Sequence, residues 1–117
     1  MTDRDPDCLF CRIVAGEIPS DRVYEDDDVI AFRDIHPQAP THVLVIPRRH
    51  VPDIDTLEDD DAGLLSALFA VVRRVAGEEG LAKGYRVVTN VGAESGQSVF
   101  HLHLHLLGGR PMAWPPG

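Results

Sequence analysis

The segment from Phe100 to Leu107 constrains the fold of this chain more than any other. It reads Phe-His-Leu-His-Leu-His-Leu-Leu, with histidine and leucine in strict alternation. Successive side chains of a β-strand point to opposite faces, so the pattern predicts a strand with His101, His103 and His105 on one face. The leucines between them are then directed into a core. A fold that suits this chain must bury one face of that strand and gather the imidazoles, called here the histidine row, on the other.

Strand spacing also predicts that the histidine row divides its work. Alternate residues on a strand lie about 7 Å apart, so the first and third positions are separated by about 14 Å. Metal–imidazole bonds are only about 2 Å long, so neighbouring rings can share one ion but the outer two cannot. Imidazole is also a nucleophile and a proton carrier near neutral pH. We therefore expect adjacent positions to attack a phosphorus atom and to manage protons around it.

The loop before the row, residues 90–98, has the sequence Asn-Val-Gly-Ala-Glu-Ser-Gly-Gln-Ser. Glycine and small polar residues can present backbone amides and hydroxyls to a phosphate. This loop would be a weak signal alone, but directly before the histidine row it predicts a phosphoryl-transfer site. The sequence contains no Walker-type Gly-Lys-Ser/Thr loop, so we expect no Mg²⁺ requirement.

Length and composition restrict the class of protein. A chain of 117 residues suits one domain, and 44% hydrophobic with 26% charged residues is ordinary globular composition. The formal charge of −8 argues against binding to a nucleic acid polymer or an anionic membrane. No apolar stretch is long enough for a membrane span, and the first residues lack a signal pattern. We expect one cytoplasmic domain over residues 1–117, with 1–7 as a flexible tail.

Periodicity predicts an α+β domain with an antiparallel sheet, because the strands are grouped around a single long helix. That helix is expected to begin at a capping box of Thr56 and Asp59 and to stop at Gly80. Its expected core face consists of Leu64, Leu65, Leu68, Phe69, Val72, Val75 and Ala76. The other expected elements are a short helix at 8–15, a hairpin with an acidic turn at 23–32, a buried central strand at 43–46, and strands at 85–91 and 99–107.

The two cysteines, Cys8 and Cys11, are three residues apart in the predicted first helix. On one helical turn they can point to one spot, where thiolates together with imidazoles suit a tetrahedral zinc ion. A thioredoxin-type redox pair is less favoured, because such a pair normally follows a strand. The remaining alternative is a pair of buried free thiols.

The histidine row with its apolar spacers resembles the signature of the histidine-triad (HIT) superfamily. Neighbouring segments resemble its histidine-triad nucleotide-binding branch in particular, and the similarity extends from residue 8 to residue 117. The segments are 32–35 (Phe-Arg-Asp-Ile), 37–42 (Pro-Gln-Ala-Pro-Thr-His), 83–86 (Lys-Gly-Tyr-Arg), 96–98 (Gly-Gln-Ser), 108–110 (Gly-Gly-Arg) and 114–117 (Trp-Pro-Pro-Gly). The resemblance implies a single HIT domain whose five-stranded sheet joins that of a second copy, giving a homodimer with a ten-stranded sheet.

The resemblance further implies a purine-nucleoside-monophosphate pocket and hydrolysis of the phosphorus–nitrogen bond in nucleoside 5′-phosphoramidates, or of acyl-nucleotides. His103 would be the nucleophile that forms a nucleotidyl-histidine, His105 would bond the phosphate or leaving group, and His42 would assist. Asn90 and Ser98 would hydrogen-bond phosphate or leaving group, with Gln97 in the same turn. The remaining implied contacts are Asp34 to the ribose, and Leu9, Phe10, Ile13, Phe32 and Ile35 to the base; core packing is an equal alternative for these five.

Histidine-triad proteins with the Cys-x-x-Cys pair resemble zinc-carrying members. The resemblance implies a structural Zn²⁺ held by Cys8, Cys11, His50 and His101, which frees His101 from the chemistry. Three other functions stay open: a dinucleoside polyphosphate hydrolase, a nucleotide-binding regulatory module with incidental turnover, and, least favoured, a zinc-storage protein.

Overall fold

The sheet is five-stranded and antiparallel, with strands in the spatial order β1-β2-β3-β5-β4. The computed structural model describes residues 4–117. The elements are α1 (Leu9–Val14), β1 (Arg22–Glu25), β2 (Val29–Arg33), β3 (Thr41–Pro47), α2 (Ala62–Glu78), β4 (Tyr85–Val88) and β5 (Leu104–Gly108). The α+β class, the short helix, the acidic hairpin and the central strand are confirmed. Within residues 4–117, neither helix is long and apolar enough to cross a membrane.

The two helices cover opposite faces of the sheet. α2 packs against Val29 and Ala31 of β2 and against Val43 and Val45 of β3. α1 packs against the alternate positions of the same strands, including Ile30 and Ile46. Both faces of the sheet centre are therefore buried, which explains why the predicted strand at 43–46 is apolar without alternation.

The last strand is shorter than the predicted span of 99–107, because regular pairing begins only at Leu104. β3 ends at Pro47, which has no N–H, and the N–H of Leu102 is donated to the carbonyl of Val51 instead. The alternation nevertheless continues upstream of β5. Leu102 joins the core under α2, while the rings of His101 and His103 contact Phe10 of α1.

Two other boundaries differ from the sequence prediction. β4 ends at Val88 rather than residue 91, because the Thr89 side chain bonds the His103 carbonyl at 3.0 Å and the chain then leaves the sheet. The capping box consists of Glu58 and Asp61, not Thr56 and Asp59, and α2 begins after it. The N–H of Thr56 is donated to Asp53, which caps a separate 3₁₀ turn with the same three-residue spacing.

The core face of α2 contains one wrong assignment. Phe69 is 43% exposed, whereas Val71, which the periodicity did not include, is 4% exposed and packs in the core. Leu68 is fully buried. The end of the helix is as predicted: the last helical residue is Glu78, and Gly80 follows with φ +72°.

The neighbours Leu68 and Phe69 provide a matched test of this packing. We expect Leu68→Ala to lower the free energy of unfolding by about 2–5 kcal/mol, because it leaves a cavity in a closed core. Phe69→Ala should cost about 1 kcal/mol or less, since much of its ring is exposed. Chemical denaturation of both variants measures the difference, and equal losses would contradict the described orientation of α2.

Candidate functional site

His103 lies directly before β5 and is 8% exposed. Its Nδ1 is 2.6 Å from the carbonyl oxygen of His101. A carbonyl only accepts, so Nδ1 carries the proton and Nε2 retains its lone pair. Burial lowers the pKa of His103, which favours the neutral ring. The result is a neutral imidazole whose Nε2 keeps its lone pair and has no hydrogen-bond partner among residues 4–117.

His42 and His105 form a hydrogen-bonded pair beside it. Leu44 of β3 lies directly opposite His105 of β5, so His42 shares a face with His105 and approaches it from the adjacent strand. The His42 Nε2 and His105 Nδ1 atoms are 2.9 Å apart. The backbone N–H of Gln38 donates to His42 Nδ1 at 3.0 Å, so the His42 proton is on Nε2 and points to His105. His105 therefore carries its own proton on Nε2.

Burial keeps this pair neutral. It lowers the pKa of His105 to about 4, with smaller contributions from His103 and His42, and Asp34 opposes the shift. Burial also lowers the pKa of His42, again against the attraction of Asp34. At neutral pH both rings therefore act as hydrogen-bonding groups with fixed donors and acceptors.

Asp34 completes the cluster at the end of β2. Its Oδ2 lies 3.5 Å from His42 Nε2, and its Oδ1 accepts the N–H of His36 at 2.8 Å. Ligand atoms of Asp34, His42 and His105 lie within 4.8 Å of one another, a spacing that a metal ion could use. Ligation through His42 Nε2 would move its proton to Nδ1, where the Gln38 N–H already donates. The hydrogen bonds thus favour a relay over a metal centre here.

The loop of residues 90–98 is fixed by Gln97, which is 4% exposed. Its Oε1 accepts the N–H of Gly92 at 2.9 Å, and its Nε2 donates to the carbonyls of Pro52 and Val99. The side chain of Gln97 is thus engaged in holding the turn. Asn90 is half-buried and Ser98 is exposed at the two ends of the loop.

The five apolar residues expected around a base divide into two groups. Phe10, Ile13 and Phe32 are brought together in the core beneath α1, where the two phenyl rings meet edge to face at 5.6 Å. Phe10 also meets His103 edge to face at 5.0 Å. Leu9 and Ile35 are exposed, at 45% and 86%.

Cys8, Cys11, His50 and His101 converge at the other end of the row, and this group could hold a metal ion. His101 Nδ1 lies 3.4 Å from Cys8 Sγ, 3.6 Å from Cys11 Sγ and 3.3 Å from His50 Nδ1. The other nitrogen of His101, Nε2, is 2.8 Å from the Pro47 carbonyl, so Nε2 carries the proton. Nδ1 then has a lone pair with which it could bind a metal ion. His101 belongs to this group, whereas His105 belongs to the cluster with Asp34.

Residues next to α1 contribute to this group. The N–H of Cys11 donates to Cys8 Sγ at 3.3 Å, and the N–H of Asp5 donates to Cys11 Sγ at 3.4 Å.

The predicted tail comprises residues 1–7, of which residues 1–3 lie outside the described residues. Within the described part, the Asp5 carbonyl accepts the Cys8 N–H.

Sequence reasoning missed the Gln38 N–H and the contact of Phe10 with His103. A backbone donor has no residue signature; only the prolines on either side of Gln38 and Ala39 were visible, and they predict a loop and not what its amides contact. The Phe10 contact joins two distant segments, for which the sequence contains no signal.

Comparisons with known proteins agree on one family. The model of the HIT domain matches residues 15–112. An uncharacterized HIT-like protein of Synechococcus elongatus is 50% identical over 111 residues, which are 95% of this chain and 97% of that protein. The crystal structure of a HIT family hydrolase from Legionella pneumophila has 54% identity and a TM-score of 0.93, covering 95% of this chain and all of the other.

A more distant solved structure is that of a histidine triad nucleotide-binding protein from Candida albicans. It has 34% identity and a TM-score of 0.80, and the match covers 93% of this chain and 83% of that one.

The buried neutral histidines predict a loss of stability in acid. Unfolded imidazoles bind protons near pH 6.5, whereas His105 in the fold does so only near pH 4. Between these values the unfolded chain binds more protons than the folded chain. The free energy of unfolding therefore decreases as the pH is lowered, by at most about 1.4 kcal/mol per pH unit for each proton. Denaturation from about pH 7 to about pH 4.5 should show a smaller slope for His105→Gln than for wild type. His36→Gln, in an exposed loop, should retain the wild-type slope; an unchanged slope for His105→Gln would contradict the described burial.

Proposed function

Because this chain belongs to the HIT-domain family, we propose that it is a hydrolase that acts on purine nucleoside 5′-phosphoramidates or acyl-nucleotides by cleaving their phosphorus–nitrogen or mixed-anhydride bond. The names of the Legionella hydrolase and the Candida nucleotide-binding protein support the class. The observation that carries the proposal is the buried, neutral His103 ring, whose Nδ1–H is held by the His101 carbonyl and whose Nε2 is free.

In the first step, His103 Nε2 attacks the phosphorus. A bond forms between Nε2 and phosphorus, and the bond from phosphorus to the leaving nitrogen breaks with its electron pair on that nitrogen. The ring gains positive charge, which the hydrogen bond from Nδ1–H to the His101 carbonyl stabilises. His42 and His105 are neutral, so the leaving nitrogen takes up its proton from solvent and departs as the neutral amine.

In the second step, water attacks the phosphorus of the nucleotidyl-histidine. The phosphorus–nitrogen bond to His103 breaks, Nε2 recovers its lone pair, the nucleoside monophosphate leaves and the water proton passes to solvent. His105 donates its Nε2–H to a phosphoryl oxygen in both steps, and His42 holds His105 in the required tautomer.

The remaining contacts belong to substrate binding. Asp34 accepts from the ribose hydroxyls through its carboxylate, and Asn90 and Ser98 bond the phosphate or leaving group. Gln97 contributes through the turn that it holds. We assign the base to the exposed Leu9 and Ile35 together with Phe10, Ile13 and Phe32, which pack in the core beneath α1.

We also propose that the cysteine–histidine group binds structural Zn²⁺. Zinc bonds of about 2.0–2.3 Å in a tetrahedron separate neighbouring ligand atoms by about 3.3–3.8 Å. Four of the six pairs of ligand atoms are 3.3–3.6 Å apart and all six are within 4.8 Å, which supports a fit to this geometry. Two thiolates and two imidazoles close the site, and the ion would tie α1 to the segment before β5 and supply folding free energy without touching substrate.

Assembly into a homodimer through β4 is part of the same proposal. β4 is an edge strand of the sheet, and Tyr85 at its start is 41% exposed. The Trp114 ring beside it is 82% exposed and lies 5.9 Å from the Arg86 guanidinium. An exposed aromatic edge of this kind suits pairing with a second copy.

Turnover of an adenosine 5′-phosphoramidate by His103→Ala tests the nucleophile. We expect at least about a thousandfold loss of kcat, since the covalent route is removed, with nucleotide affinity nearly unchanged. Wild type quenched during turnover should carry a nucleotidyl adduct in intact mass spectra, and its activity should survive removal of Mg²⁺ by a chelator. His36→Ala is the matched control and should retain activity. Turnover by His103→Ala near the wild-type rate would refute the covalent mechanism.

Metal analysis of protein purified without a chelator tests the zinc site. We expect about one zinc per chain, and much less in Cys8→Ser and in His50→Ala, because each change opens the tetrahedron. His36→Ala should keep its metal. Wild-type protein without zinc, reduced and supplied with the ion during folding, would contradict the assignment.

A further inference from the structure

The hydrogen bonds that set the tautomer of His105 begin at Gln38, in a loop that has few internal hydrogen bonds. Residues 37–40 read Pro-Gln-Ala-Pro, and the two prolines have no N–H to donate. Gln38 lies on the surface, and among residues 4–117 its side chain donates only to the carbonyl of His36, at 3.1 Å. The Gln38 N–H that fixes His42 therefore needs support from outside the loop.

The segment after β5 provides that support. Arg110 Nη2 donates to the Gln38 carbonyl at 2.9 Å. One residue earlier, Gly109 has φ +92° and lies so close to the loop that a Cβ there would be 2.9 Å from Pro40 Cβ. Gly109 and Arg110 thus both contact the loop. Gly109 lies against Pro40, and Arg110 donates to the Gln38 carbonyl.

We propose that Arg110 is a positioning residue that fixes which nitrogen of His105 carries its proton. The connection has three hydrogen bonds: Arg110 to the Gln38 carbonyl, the Gln38 N–H to His42 Nδ1, and His42 Nε2–H to His105 Nδ1. It deepens the proposed function and rests on it, because the benefit of the fixed tautomer is a donor for the phosphoryl group. Arg110 itself touches neither His42 nor His105 in the described hydrogen bonds.

The opposite tautomer would oppose the chemistry. If the Gln38 N–H turns away, His42 can carry its proton on Nδ1 and offer a lone pair at Nε2. His105 then donates from Nδ1, and its Nε2 lone pair faces the phosphoryl oxygens. The pair would still be hydrogen-bonded, so the fold loses little, while the substrate loses a donor and gains a repulsion.

Arg110→Ala and Arg110→Lys are the test variants, and Arg86→Ala is the matched control. Arg86 is also an arginine that donates to a carbonyl of the C-terminal segment, that of Ala113 at 2.8 Å, but it has no described bond to the Pro-Gln-Ala-Pro loop. The primary readout is the tautomer of His42 and His105, read at neutral pH from long-range ¹H–¹⁵N correlations of the ring nitrogens. This measurement needs no substrate.

We expect wild type and Arg86→Ala to show His42 and His105 protonated at Nε2, and Arg110→Ala to show a substantial Nδ1–H population in both. Its kcat on the phosphoramidate should fall about tenfold with KM little changed, because one transition-state donor is lost part of the time. Arg110→Lys, which retains one donor for the Gln38 carbonyl, should recover both the tautomer and most of kcat.

Arg110→Ala with wild-type tautomers would overturn the proposal, whatever its kcat. So would a tautomer change of equal size in Arg86→Ala, because the effect would then belong to the C-terminal segment as a whole. If wild type lacks phosphoramidate hydrolysis but Arg110→Ala still changes the tautomers, the proposed function fails and the positioning role of Arg110 stands.

Discussion

The arrangement of this site depends on the backbone groups that decide which nitrogen of each imidazole carries the proton. The His101 carbonyl takes the Nδ1–H of His103, the Pro47 carbonyl takes the Nε2–H of His101, and the Gln38 N–H occupies Nδ1 of His42. Each bond leaves the opposite nitrogen with a single remaining role. Rings of one chemical type are thus assigned the roles of proposed nucleophile, candidate metal ligand and proposed phosphoryl donor because different main-chain atoms face them.

His101 joins the two halves of the site through two different parts of one residue. Its ring faces the thiols of Cys8 and Cys11, while its carbonyl accepts from His103. A group that fixes the His101 ring therefore also fixes the oxygen that orients His103. Phe10, in the helix that begins beside the same cysteines, packs against both rings and excludes water from one side of them. His101 and Phe10 thus connect the candidate metal centre to the candidate active site.

The sequence predicted the features that depend on the alternation of side chains along a strand. It did not predict the features that depend on hydrogen bonds from main-chain atoms. Strict alternation predicted that Leu102 and His103 point to opposite faces, and this holds even where the strand loses its regular pairing. It could not predict that loss, because it follows from where Pro47 ends the neighbouring strand. The capping box was predicted at the wrong residues because two acidic caps with the same three-residue spacing, at Asp53 and at Glu58, lie close together in the chain. The Gln38 amide had no signal, since every residue but proline has that group.

The path of residues 101–106 through the molecule has a consequence for how this protein can change over time. The leucines that anchor the core under α2 and the imidazoles on the opposite side share one backbone only a single layer thick. A substitution that displaces the backbone at Leu102 or Leu104 also acts on His103, which lies between them in the chain. Changes in the core and changes at His103 are thus coupled along this stretch, whereas Phe69 on the exposed side of α2 lies outside the core cluster.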